Sequence, residues 1–380
     1  MKKRILAAIL TLPLLSCLAI PAHAAPEVSV PSAILTEAAT GTVLFEKNAH
    51  EKLRPASVTK IMTLLLVMEA IDAGGLRWED TVTASAAACS KGGSQVYLAE
   101  GEQMRVDEMV KAVCVASAND CAAALAEHLA GSESAFVDKM NERARELGMA
   151  DTHFVNCTGL DDDPAAAEHL TTAADIAIMS RELLRHDGIR KYTTIWMDTV
   201  RGGQFGLTNT NKLVRFFEGT TGLKTGYTSA AGHCISATAR RDGMELIAVV
   251  LHASSSPERF EAAKTLLGYG FATYALCYPE ADAAEVPVIL GTQRSVRAEP
   301  ESGAPVLIEK AQKNQVSFET ALDETAEAPV ERGQRLGTLT VKAGGAVLRE
   351  IPLVAAEEVP RLSFGQVLLR LLKRACCAEL

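Results

Sequence analysis

Ser57 and Lys60 are the first residues in this chain whose types and spacing could do chemistry. They stand in Arg54-Pro55-Ala56-Ser57-Val58-Thr59-Lys60. Pro55 fixes the approach to a helix and puts Ser57 at or near its first turn. Lys60, three residues on, then lies on the same face with its amine beside the Ser57 hydroxyl. A serine becomes a nucleophile when a neighbouring base takes its proton. A lysine is such a base once burial or a nearby cation lowers its pKa. The helix N-terminus also favours negative charge developing on the serine oxygen. Alone, the pair says little, because ordinary residue usage gives about one Ser-x-x-Lys in a chain of this length.

Two further motifs change its weight. Ser117-Ala118-Asn119 falls between helical stretches, where a hydroxyl and a carboxamide can face a cleft. Lys224-Thr225-Gly226, within Gly222-Leu223-Lys224-Thr225-Gly226-Tyr227, precedes a late hairpin. On an edge strand Gly226 would admit a substrate backbone, while Lys224 and Thr225 offer a cation and a hydroxyl to a carboxylate. Each motif has an ordinary explanation as a helix cap or a turn. All three in this order are far rarer. Other patterns fail: His50-Glu51 lacks a second histidine at Arg54, and Gly222-Leu223-Lys224-Thr225 has the wrong spacing for a phosphate loop.

The elements that position these residues read as α+β. Ala33–Glu37 and Thr42–Glu46 alternate around Thr40-Gly41 as a hairpin, and Cys234–Ala239 and Leu246–Leu251 flank Arg241-Asp242-Gly243 as another. Ile61, Leu64, Leu65 and Met68 mark a helical face, and a long Ala-rich stretch from Val106 to Leu147 is helical in pattern. Strands at both ends with helices between predict one antiparallel sheet with a helical insertion. After Tyr278-Pro279, short strands at 286–290, 306–309, 316–319, 336–341 and 347–351 predict a small all-β sandwich.

Both chain ends point to a membrane. Lys2, Lys3 and Arg4, an apolar run and Ala22-His23-Ala24 read as a cleaved secretory signal, with Leu14-Leu15-Ser16-Cys17 a loose match to a lipoprotein site. Beyond Pro360, the residues Phe364, Val367, Leu368, Leu371, Leu372 and Ala375 form one helical stripe, flanked by Arg370, Lys373 and Arg374. Such a helix lies in a membrane interface or docks on the body. The expected organisation is signal 1–24, catalytic domain 25–277, β domain 278–360 and amphipathic helix 361–380. The net charge is −9 over 380 residues. Both ends are basic, so the body is more acidic still, which excludes a nucleic-acid partner read by phosphate contacts.

Ser-x-x-Lys, Ser-x-Asn and Lys-Thr-Gly in this order resemble the motifs of penicillin-binding proteins and serine β-lactamases. More closely, Val28–Ala275 is similar to the low-molecular-mass D-alanyl-D-alanine carboxypeptidases of peptidase family S11. Gly92-Gly93-Ser94-Gln95, Glu142–Met149 and Thr152-His153-Phe154-Val155-Asn156 carry that likeness. The resemblance implies removal of the terminal D-alanine from peptidoglycan stem pentapeptides, without metal or cofactor. Ser57 would be the nucleophile, Lys60 its base and Ser117 the proton relay. Asn119 would hold the substrate amide, Lys224 would polarise Ser117 and, with Thr225, attract the terminal carboxylate, and Gly226 would admit the substrate backbone. The backbone N–H groups of Ser57 and Tyr227 would form the oxyanion hole. β-Lactams would acylate Ser57 and stall.

Rivals with the same motifs are a β-lactamase, a D,D-endopeptidase and a non-catalytic wall scaffold. Against the first, no Glu-x-x-Leu-Asn pattern follows Asn119. Cys114, Cys121 and Cys157 are expected to be small buried hydrophobes. Asp161-Asp162-Asp163 is expected to be a solvated surface run.

Overall fold

The structure, a computed structural model, describes residues 25–279 and 284–376. The stretch read as a leader, including Cys17, lies outside them. Five antiparallel strands form the central sheet, in the spatial order Val43–Lys47, Ser32–Glu37, Met244–Ala253, Gly232–Arg241, Thr220–Thr228. Two strands come from the start of the chain and three from beyond the helices, the arrangement expected of an interrupted sheet. Asp242 and Gly243 both have positive φ (49° and 80°), the twist that a two-residue hairpin turn demands.

The segment Leu246–Leu251 is apolar throughout because both faces of this sheet are covered. Ile247, Val249 and Leu251 enter the core under the helical insertion. Leu246, Ala248 and Val250 pack with Phe260, Leu266 and Leu267 of the Ser256–Thr273 helix. Side chains alternate between faces along a strand, so one run serves two cores.

Ile61, Leu64, Leu65 and Met68 lie buried in the Lys60–Asp72 helix. The stretch from Val106 to Leu147 is three helices rather than one: Val106–Ala116, Asn119–Ala130 and Glu133–Glu146. The first stops at Ser117, held in the left-handed region (φ 63°), and the second at Gly131 (φ 82°). The break at Ser117 ends one helix and leaves Asn119 as the first residue of the next.

The C-terminal part is all β. A six-stranded sheet runs in the order Val316–Leu322, Arg335–Ala343, Ala346–Ala355, Ser295–Pro300, Ala284–Ile289, Ala326–Glu327. Val306–Glu309 pairs instead with Tyr274–Cys277. On that pair Tyr274, Leu276 and Leu307 pack on the core below the central sheet, while Ala275, Cys277, Val306 and Ile308 join the core of the six-stranded sheet. Alternate side chains of these two short strands thus seal one part of the molecule to the other.

The tail forms the helix Phe364–Cys376. Arg370 donates to the carbonyls of Gly291 and Thr292 (3.1 and 3.3 Å), and Val367 is half-buried. Phe364 is 84% exposed, and Leu368, Leu369, Leu371 and Leu372 are exposed too. The body therefore takes up only one edge of the apolar stripe. Among the described residues no helix is long and apolar enough to cross a membrane.

Candidate active site

Pro55 leads into a single 3-10 turn, Ala56–Thr59, which continues as the Lys60–Asp72 helix. Residues three apart eclipse in such a turn, which sets Lys60 directly over Ser57. Lys60 Nζ donates to Ser57 Oγ at 2.9 Å and to the Thr158 carbonyl at 2.8 Å. The Lys60 side chain is wholly buried (0% exposed). Burial, and after it the charge of Lys224, hold its pKa well below the ordinary lysine value.

Two glycines clamp the turn that carries Ser57. A Cβ on Gly159 (φ +81°) would lie 1.8 Å from Ala56 O and 2.7 Å from Thr59 Oγ1. A Cβ on Gly226 would lie 2.7 Å from Pro55 O and 2.9 Å from Ser57 N. Gly226 does sit on an outer strand of the sheet. The space its missing side chain leaves, however, is filled by the turn that carries Ser57, not held open for a substrate.

A hydrogen-bonded chain supports the same turn from behind. Val155 N–H donates to His169 Nδ1 at 3.1 Å, so the ring proton resides on Nε2, which donates to Thr59 Oγ1 at 2.8 Å. Thr59 Oγ1 in turn donates to Ala56 O at 2.8 Å. Burial pushes His169 down to about 4, which keeps the ring neutral and the chain intact.

The second motif is assembled by a segment without helix or strand. Asn119 Nδ2 donates to Gly92 O and Asn119 N to Ser94 O, each at 2.7 Å. Asp120 accepts from the N–H groups of Val96 (3.1 Å) and Leu98 (3.0 Å), tying that segment to the helix. The Asn119 carboxamide therefore does not cap its helix. Ser117 Oγ and Asn119 Oδ1 are both buried without a hydrogen-bond partner. Unpartnered buried oxygens are costly, which sets these two apart from the satisfied polar groups around them.

Lys224 is 1% exposed and donates to its neighbour's carbonyl, Thr225 O, at 2.8 Å. Burial above all brings its pKa down to about 7. Thr225 Oγ1 donates to Thr210 Oγ1 at 2.7 Å. Tyr227 is 59% exposed and stacks on His233 with ring centroids 4.3 Å apart. Arg259, from the Ser256–Thr273 helix, is buried and donates to the carbonyls of Gly226 (2.8 Å) and Cys234 (3.2 Å). Those carbonyls flank the register shift between His233 and Ile235, so Arg259 satisfies groups near a break in the ladder.

Ser57 thus meets Lys60 directly and Gly226 by packing, and Lys60 feels the charge of Lys224. Leu160, next to Gly159, packs against Gly93 beside Asn119. Sequence reasoning missed Asp120, Thr158, Gly159, His169 and Arg259. Glycine after an Asn-Cys-Thr turn was the one local signal available. Cys114, Cys121 and Cys157 are buried. Asp162 and Asp163 are exposed, but Asp161 departs from a solvated run: its Oδ2 is buried without a partner, in a small cavity shared with Arg54, Pro55 and Ala56. The turn after Gly159 folds this one carboxylate inward.

Comparison with known proteins agrees with the geometry. Residues 20–255 match a family described as D-alanyl-D-alanine carboxypeptidase, and residues 271–361 match the penicillin-binding protein 5 C-terminal domain. The chain is 42% identical over 340 residues to D-alanyl-D-alanine carboxypeptidase DacF of Bacillus subtilis, covering 88% of this chain and 86% of the relative. Penicillin binding protein 5 from Haemophilus influenzae superposes with a TM-score of 0.79 at 27% identity, over 90% of this chain and all (100%) of the other. Penicillin-binding protein D2 from Listeria monocytogenes, solved in an ampicillin-bound form, gives a TM-score of 0.59 at 32% identity over 64% of this chain and 98% of that one. The chain belongs to the serine-type D-alanyl-D-alanine carboxypeptidase family.

Proposed function

We propose that Ser57 attacks the carbonyl between the two terminal D-alanines of a peptidoglycan stem pentapeptide. The observation that carries this reading is the buried Lys60 amine 2.9 Å from Ser57 Oγ, with no carboxylate paired to it among the described residues. A neutral amine has two hydrogens and one lone pair. It keeps an N–H on Thr158 O and turns the lone pair to the Ser57 hydroxyl, accepting its proton as the C–O bond forms. The oxyanion settles on the N–H groups of Ser57 and Tyr227. Ser117 passes a proton to the leaving amine, D-alanine departs, and water then hydrolyses the Ser57 ester. Asn119 holds the substrate amide. Lys224 and Thr225, with Gly226 closing the strand onto Ser57, receive the terminal carboxylate.

A β-lactam follows the same first step and remains attached, because its leaving nitrogen stays tethered. The ampicillin-bound relative supports this reading. Labelling by a fluorescent penicillin and release of D-alanine from a pentapeptide ending in D-Ala-D-Ala test the proposal together. Both are expected from the wild type and neither from Ser57→Ala; D-alanine release that survives Ser57→Ala overturns it.

The same proposal sets the enzyme outside the cytoplasmic membrane, with 1–24 as a leader, 25–277 catalytic, 278–360 a β spacer and 361–380 an anchor lying on the bilayer. Exposed Phe364, Leu368, Leu369, Leu371 and Leu372 beside Arg370 and Lys373 support the anchor. Flotation with anionic liposomes, lost on deletion of residues 361–380, is the expected result.

A further inference from the structure

Lys91 and Glu133 lie outside every motif considered above, yet each adjoins a residue that touches the proposed machinery. Lys91 Nζ donates to Glu133 Oε2 at 2.5 Å, and the two side chains are only 24% and 22% exposed. Lys91 immediately precedes Gly92, whose carbonyl accepts from the Asn119 carboxamide at 2.7 Å. The other Glu133 oxygen, Oε1, accepts from Cys157 N–H (3.3 Å) and from the Cys157 thiol (3.2 Å). Cys157 immediately precedes Thr158, whose carbonyl accepts from Lys60 Nζ at 2.8 Å. One carboxylate therefore holds two chain segments, and each segment offers a carbonyl to one active-site side chain.

Neither segment has a ladder of its own to fix it. Residues 91–99 and 154–163 contain neither helix nor strand. Glu133, by contrast, is the first residue of a helix whose start is fixed by Ser132 accepting from Ala135 N–H at 3.1 Å. Glu133 thus supplies one reference point common to both loops, beside Asp120, which holds Val96 and Leu98, and Thr63, whose hydroxyl donates to Cys157 O at 2.6 Å. The two loops also meet where Leu160 packs against Gly93.

We propose that the Lys91–Glu133 ion pair is a positioning device for the reaction, setting the Lys60 amine and the Asn119 carboxamide in register through the carbonyls of Thr158 and Gly92. This rests on the reading that Lys60 and Asn119 act on the substrate. A misplacement of a fraction of an ångström at a base or an orienting amide lowers the rate of the chemical step more than it weakens binding. A merely structural ion pair would not separate the two.

The test uses the full chain with Lys91→Met, Glu133→Gln, Lys91→Arg and the double variant Lys91→Met/Glu133→Gln. Glu133→Gln keeps an acceptor for Cys157, so at least one pair-breaking variant is expected to fold, as checked by circular dichroism. Each pair-breaking single variant should lower kcat for D-alanine release, and the limiting rate of penicillin acylation, by about tenfold, while KM moves less than about twofold. Lys91→Arg, which restores the pair, should stay within about twofold of wild type. The double variant should be no slower than the worse single one, because one interaction is lost once. Unchanged kcat in folded Lys91→Met, a Lys91→Arg as slow as Lys91→Met, or losses that multiply in the double variant would each overturn the device. Absence of Ser57-dependent labelling in the wild type would instead overturn the active-site reading beneath it.

Discussion

The interior up to residue 259 holds Glu37, Lys60, Asn119, Asp120, His169, Asp175, Lys224, Glu245 and Arg259. From residue 284 onward, every buried side chain among the described residues is apolar. Both regions fold by burying hydrocarbon, but only the first also buries groups that water would solvate better. The difference separates a part shaped to hold reactive groups from one shaped only to be stable. Lys60 and Lys224 are buried with no carboxylate paired to either among the described residues, and burial lowers the pKa of both.

That contrast can be broken most sharply at Lys60. Lys60→Met keeps the length and removes the amine, and D-alanine release should fall on the order of 10³-fold. The melting temperature should hold or rise, because a desolvated amine is replaced by hydrocarbon. A variant both inactive and unstable would show that the amine serves the fold instead.

A matched pair of substitutions sharpens the contrast further. Leu339→Ala, in the apolar core of the six-stranded sheet, should cost about 3 kcal/mol in urea denaturation and leave D-alanine release unchanged. Gly159→Ala, at a similar cost of about 3 kcal/mol, should also slow penicillin acylation, because the methyl must displace the Ala56 carbonyl beside Ser57. Equal effects of both on activity would erase the distinction between the regions.

The smallest effect is the pH profile. Lys224 is a cation below its pKa of about 7 and neutral above it. In the free enzyme, attraction for the substrate carboxylate is therefore lost as pH rises. The kcat/KM for the pentapeptide should fall on the alkaline side by up to about tenfold per pH unit once above that pKa. Lys60 must lose its proton to act, so its titration forms the acid limb. Lys224→Arg should carry the alkaline limb to higher pH, since a guanidinium stays charged. An alkaline limb that does not move would assign it to another group.

The sequence revealed what repeats locally. The Asp242-Gly243 turn, the alternation in both parts and Ser57 three residues before Lys60 all depend on neighbours within a few positions. His169 supports Thr59 from 110 residues away, Lys60 reaches Thr158 across 98, and Arg259 serves the Gly226 carbonyl across 33. Nothing in the local types at those positions distinguishes them from ordinary polar residues. Gly226 was legible as a glycine with a purpose, but the purpose depended on which chain segment lies against it. Ser117 reads as lying between helical stretches while the whole of 106–147 also reads as helical, and neither pattern reveals the left-handed backbone that ends the helix there.

The clamp on the nucleophile turn also bears on how drug insensitivity could arise. With less than 2 Å between a side-chain carbon at position 159 and the carbonyl before Ser57, mutation there moves the serine for substrate and antibiotic alike. Escape from a penicillin that spared the enzyme's own turnover would have to start elsewhere, at accessible positions such as Tyr227, where a side chain can change without displacing the turn. The tightest packing in the cleft thus narrows the evolutionary routes open to it.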